Sequence, residues 1–136
     1  MKYTFTLILL LGLFGCKKQI EQIQTNLVIQ AMTTGQWKMV SFYDGSTNVT
    51  NDFAPYLFQF KTDFTVDAIK NSTVEISGTW GADADAKTIT SNFNPPANNP
   101  LPLLNGTWKI TKNSWTYVEA NLTVNGILRT LRLEKI

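Results

Sequence analysis

Few residues in this sequence can do chemistry. The chain holds no His and one Cys, Cys16, beside ten Asp/Glu and twelve Lys/Arg. Without His there is no Ser-His-Asp or Cys-His nucleophile, no His-ligated zinc, and the commonest general base is missing. One Cys allows neither an intrachain disulfide nor a thiolate metal cluster. A glycosidase-type pair needs two carboxyls roughly 5–9.5 Å apart in a cleft. Asp67 and Glu119 instead fall on expected strands at solvated phases. Asp83-Ala84-Asp85 lacks the Gly and downstream Glu of a calcium loop, and it sits in an expected turn, where Asp is common. The Asn-x-Thr triplets at Asn48, Asn71, Asn105 and Asn121 supply turn and strand residues. No Gly-rich phosphate loop exists. A net charge of +2, with basic residues scattered, offers nucleic-acid phosphates no strip to bind. The inventory points to a non-catalytic protein with no cofactor and no metal. An enzyme running on carboxylates alone is the residual alternative.

Cys16 is the exception, because of what precedes it. Met1-Lys2-Tyr3 is a short basic start, and Thr4 to Phe14 is almost wholly apolar. That run is about half of the roughly 20 residues a spanning helix needs, and it fits the apolar region of a secretory signal. Leu13-Phe14-Gly15-Cys16 resembles a bacterial lipobox. The resemblance implies cleavage before Cys16 and acylation of its thiol, which attaches the protein to a membrane through several chains. The alternative is a plain signal peptide that happens to contain Cys. Lys17, not Asp, follows Cys16, which by the same resemblance implies the outer membrane. Either face of that membrane, and any oligomeric state, fits the sequence.

The remaining elements must position everything else. Ile20, Ile23, Leu27, Val28, Ala31 and Met32 share one helical face, which predicts a helix over 19–33, stopped by Gly35. From there the period is two. Strands are expected at 36–43, 56–61, 64–70, 74–80, 87–93, 103–111, 114–124 and 127–135, each bounded by Gly, Pro, Asn or Asp. Eight short strands with frequent turns define an all-β antiparallel sandwich or barrel. Gly78-Thr79-Trp80 and Gly106-Thr107-Trp108 form a weak internal repeat, with Gly35-Gln36-Trp37 sharing its outline. Asn125-Gly126 is a strong two-residue hairpin signal. It sets Val124 opposite Ile127, Leu122 opposite Arg129, Ala120 opposite Leu131, and Val118 opposite Leu133.

With a helix, then Gly35-Gln36-Trp37, then eight strands closing in Leu131-Arg132-Leu133-Glu134-Lys135, residues 35–136 resemble the lipocalin-like lipoproteins of bacteria. The resemblance implies an eight-stranded up-and-down barrel with a short N-terminal helix, one closed end, one open end, and often a small hydrophobic ligand inside. The chain is shorter than a typical lipocalin and lacks the usual C-terminal helix, which counts against a roomy cavity. Domain organisation follows: 1–15 signal peptide, 16–34 lipidated Cys, tether and helix, 35–136 barrel. Alternating connections place Trp37, Trp80, Trp108 and Trp115 at the short-turn end as an aromatic floor. Lipocalins pack a basic side chain over the Gly-x-Trp indole, and Lys135 is the candidate, a contact of about 1 kcal/mol; a solvated terminal Lys is the alternative. At the mouth, Arg129 would meet an anionic head group if it points inward, beside Tyr56, Phe58, Phe93 and Leu122. The alternatives are a surface arginine and simple core filling. The expected function is an envelope lipoprotein that binds a small hydrophobic molecule. Its rival is a structural or protein-interaction lipoprotein whose barrel is filled by its own side chains.

Overall fold

The computed structural model describes residues 13–96 and 98–136, the side chains of 13–21 excepted. The signal segment therefore lies largely outside the described residues, and so does the Cys16 side chain.

The element order is α1 (Leu13–Thr33), β1 (Trp37–Asp44), β2 (Thr47–Asn48), α2 (Thr50–Phe53), β3 (Tyr56–Phe60), β4 (Thr65–Lys70), β5 (Thr73–Asp83), β6 (Thr88–Asn92), a 3-10 turn (Leu101–Leu104), β7 (Gly106–Asn113), β8 (Tyr117–Val124) and β9 (Ile127–Lys135). Every ladder is antiparallel, from β3 to β9 each strand pairs with the next in sequence, and β1 pairs with both β3 and β9. The result is a closed eight-strand barrel, with the two-residue β2 as an extension folded back on β1. Closure removes the free sheet edges that an open meander would expose. The β8–β9 register is the one set by Asn125-Gly126: Val124 faces Ile127, Leu122 faces Arg129, Ala120 faces Leu131 and Val118 faces Leu133. Both turn residues are left-handed (φ 51° and 78°), as a type I′ turn requires.

Several boundaries differ from the period-two reading. The strand expected from 103 starts at Gly106, because Leu101–Leu104 coils as a 3-10 turn around Pro102. The strand expected from 114 starts at Tyr117, since Ser114 to Thr116 make the connection. Phe64, expected to open β4, has φ +64° and lies in the β3–β4 turn. The connection before β3 is not plain loop but carries β2 and α2. It has a structural job. β1 meets β3 only at Trp37↔Phe58 and Lys38↔Leu57. Beyond that, Thr50 stands in for a strand: its Oγ1 accepts from Phe42 N at 2.9 Å, and Phe42 O accepts from Val49 N at 3.0 Å. Buried backbone polar groups in a sheet gap need such a partner.

The glycines of the repeat leave room for inward side chains. A Cβ on Gly78 would come within 2.4 Å of Asn92 O and 2.8 Å of the Phe93 ring. One on Gly106, where φ is also +130°, would meet Leu122 at 2.8 Å.

The 61–64, 84–87 and 114–116 connections share one end with the start of β1, and α1 lies across that end. Met32 enters the barrel; Val28 and Ile29 pack behind it. The expected apolar face is thus split, with its Val28 and Met32 covered. Ile23 and Leu27 are exposed, and Ile29, on no expected face, is covered. The phase is set by Trp37, whose Nε1 donates to Met32 O at 2.9 Å.

Candidate functional site: the barrel interior and its two covers

The interior is almost solid. Among the described residues it holds a cavity of about 50 Å³, lined by Met32, Met39, Phe58, Phe60, Ile89, Ser91, Phe93, Leu104, Trp108, Val118, Ala120, Leu131 and Leu133. Ser91 is the one polar lining residue, and its hydroxyl donates to Leu104 O at 2.5 Å. Among the described residues no buried side-chain polar atom lacks a partner. A space this small and apolar suits packing imperfection better than ordered water, which wants several polar partners.

Both ends are closed. Below lie Met32 and Trp37, with Lys135 Nζ 5.0 Å from the Trp37 ring centroid and donating to Ala31 O at 2.8 Å. Above, the Leu101–Leu104 turn covers the interior, with Leu101 and Leu104 buried. Asn105 pins the neck, its side chain accepting from Phe93 N at 2.6 Å and donating to Phe93 O at 2.8 Å. Leu104 O also accepts from Trp108 Nε1 at 2.8 Å. Leu101 and Leu104 are buried beneath this cover, and Phe53 of α2 packs 4.8 Å from Phe42 beside it. Among the described residues, the end expected as an open mouth is covered by the Leu101–Leu104 turn.

The expected floor is corrected as well. Trp37 and Trp80 do lie at the short-turn end; Trp80 donates to Lys61 O at 2.9 Å and packs edge-on against Phe60 at 5.3 Å. Trp108 belongs to the opposite cover, because β7 starts three residues later than expected. Trp115 is 54% exposed in the β7–β8 connection and plugs nothing.

The proposed ligand residues do not converge. Phe58 and Phe93 line the small cavity; Leu122 is half-buried against Gly106; Tyr56 and Arg129 are outside it. Arg129 does share the inward phase of Leu131 and Leu133, but it is not a free cation. Its Nε donates to Asp44 at 2.8 Å and its Nη1 reaches Leu103 O at 3.5 Å. It clamps the cover to β1, across a sequence gap no local pattern reveals. Tyr56 is likewise committed. Its hydroxyl donates to Glu75 Oε2 at 2.5 Å, and Asn99 of the cover donates to both groups at 3.3 Å. Burial, then the bond to Glu75, raises the Tyr56 phenol above its ordinary value; the phenol in turn lowers the Glu75 carboxyl. The covering residues Asn99, Leu101 and Asn105 were missed from sequence. Asn99-Pro100 was their available signal, an Asn able to accept from a backbone N–H two residues on, as it does from Leu101 at 2.9 Å.

The outer face carries two charge clusters. Asp67, expected to be solvated, is buried, accepting from Ser77 at 2.6 Å and from Lys61 at 2.6 Å. Burial pushes its carboxyl up, but those two donors outweigh it and hold it below the usual range. Arg132 bridges Glu119 and Glu134 and stacks 4.2 Å over Tyr117, beside an open groove of about 270 Å³. No cluster of metal-type ligands occurs among the described residues.

These shifts predict a pH profile. Asp67 and Glu75 are depressed, so their stabilisation is present above the unfolded values and is lost as pH falls from about 4. Tyr56 is raised, so its contribution holds below about pH 10 and is lost as pH rises through the folded value. With no His, no side chain ordinarily titrates from about pH 5 to 8. The thermal midpoint is expected to be flat across that plateau and to fall at both ends, with Asp67→Asn flattening the acid limb. A sloping plateau would contradict the assignment.

The class defined by this geometry is a closed antiparallel eight-strand barrel, coarsely lipocalin-like, with a filled interior and covers at both ends. Among solved structures, a DUF4847 family protein from Bacteroides vulgatus superposes with a TM-score of 0.54 at 17% identity, over 79% of this chain and 96% of that one. That likeness concerns the fold alone. No protein-family model matches the sequence. No curated protein matches it either.

Proposed function

We propose that the protein is a non-catalytic lipoprotein of the bacterial cell envelope, anchored through acylated Cys16 in the outer membrane, whose barrel works as a solid interaction module. One observation carries this over the carrier reading: the interior void is about 50 Å³, whereas ligand pockets run to about 300 Å³ or more. The long-connection end supplies the contact surface. Tyr43, Ile127 and Leu128 are exposed there, grouped where Gly45 N donates to Leu128 O at 2.9 Å. Another envelope protein is the partner such a patch suits.

The carrier reading keeps one point in its favour, a lining that is apolar except for Ser91. Native mass spectrometry of protein purified from membranes separates the two. The expected spectrum shows the acylated chain without a second small molecule. A stoichiometric amphiphile would return the carrier reading, with Leu101–Leu104 lifted.

A further inference from the structure

We infer that the short-turn end of the barrel, with the outward stripe of α1, rests on the lipid bilayer surface. The inference builds on the reading of Cys16 as acylated and adds the orientation of the domain.

Three observations place the contact there. First, Met32 points into the barrel end, and the nine residues back to Ile23, at about 100° each, bring Ile23 to the opposite side of the helix. Ile23 and Leu27 are 59% and 47% exposed, a two-residue apolar stripe facing away from the barrel. Second, Trp115 and Phe64 project from two of the three connections at the same end. Phe64 is 45% exposed although its backbone is left-handed, a conformation that Gly adopts at no steric cost. Its ring packs against Trp80 at 5.7 Å and still stays half-exposed. Half-exposed indole and phenyl rings suit the head-group region of a bilayer. Third, Cys16 belongs to the same helix, seven residues before Ile23, a rise of about 10 Å. Acyl chains on it would hold the stripe at the membrane surface, and the sequence puts two basic residues, Lys17-Lys18, directly after the anchor. The exposed patch at the other end has no such tether and faces away, free for a partner.

Full-length protein purified with its acyl chains is reconstituted into phosphatidylethanolamine–phosphatidylglycerol vesicles containing brominated lipid. Trp115 is the exposed indole; Trp37, Trp80 and Trp108 are buried. Bromolipid quenching of the emission is expected, with most of it lost in Trp115→Phe. Ile23→Ser with Leu27→Ser should weaken quenching while leaving the thermal midpoint in place, and so should Phe64→Gly. Intact mass, taken on the same sample, reports acylation of Cys16. Acylated protein without Trp115 quenching overturns the orientation and leaves the anchor standing. An unmodified Cys16 removes anchor and orientation together. Cross-linking through Leu27→Cys into dimers, without quenching, would assign the face to a second copy and overturn the lipid contact.

Discussion

Trp37→Ala is expected to lower stability by about 3–5 kcal/mol, the range for deleting a large aromatic from a core. Against a total of about 5–15 kcal/mol this brings the protein near unfolding at ordinary temperature. Trp37 has no exposed surface and sits where β1 pairs with both β3 and β9. Its indole is also what docks α1: Nε1 donates to Met32 O, and Lys135 lies over the ring while bonding Ala31 O. Removal therefore opens a void, strands a buried carbonyl and frees a cation together. Trp37→Phe divides these effects. It retains most of the volume and loses the donor, so its cost should fall to about 1–3 kcal/mol. Urea unfolding followed by circular dichroism reads both. If Trp37→Ala costs under about 1 kcal/mol, the helix is not part of the cooperative unit.

Leu104→Ala is the second large effect, at about 2–5 kcal/mol. Leu104 is buried and lines the remaining cavity from above. Collapse around the gap is what reduces such costs, and here it is obstructed. The Leu104 carbonyl is held by Ser91 Oγ at 2.5 Å and Trp108 Nε1 at 2.8 Å. The upper half of the range is therefore expected, with a larger dry void that takes up xenon or benzene as other apolar engineered cavities do. Xenon-induced shifts in methyl resonances would report it. A variant with unchanged stability and no xenon uptake would show that the Leu101–Leu104 turn sinks freely, contrary to a pinned cover.

The proposed orientation on the bilayer and the filled interior fit one picture. A domain that needs no mouth can spend both barrel ends on contacts. In that proposal the α1 end takes the membrane, and the long-connection end is left for a partner. The Arg129–Asp44 and Tyr56–Glu75–Asn99 clusters then serve to hold the long connections in fixed shape, which lowers the ordering cost of binding.

Much of the barrel was legible in the chain. Period-two runs of Thr, Val, Ile and aromatics located all eight barrel strands, and Asn125-Gly126 set four residue pairs correctly. Failures clustered where a local pattern has two tertiary solutions. The Leu101-Pro102-Leu103-Leu104 run reads as a strand start, but Pro102 cannot donate to a ladder, and the segment coils instead. The expected apolar face of helix α1 spans about half of its circumference, and the barrel covers its Val28 and Met32 while leaving Ile23 and Leu27 exposed. Arg129 takes the inward phase, one of the two placements the sequence left open, and its partner Asp44 lies 85 residues away.

By itself the sequence determined what depends on neighbours along the chain: alternation of faces, positive-φ turns, the absence of imidazole chemistry, and a single thiol behind an apolar leader. Tertiary structure alone decided which helix stripe is covered, which carbonyl each indole reaches, and how much space closure leaves inside. Those outcomes are sums over side chains from distant strands. An eight-strand cylinder has a set bore, and here Phe58, Phe60, Phe93, Trp108 and the inserted Met32 and Leu104 together fill it.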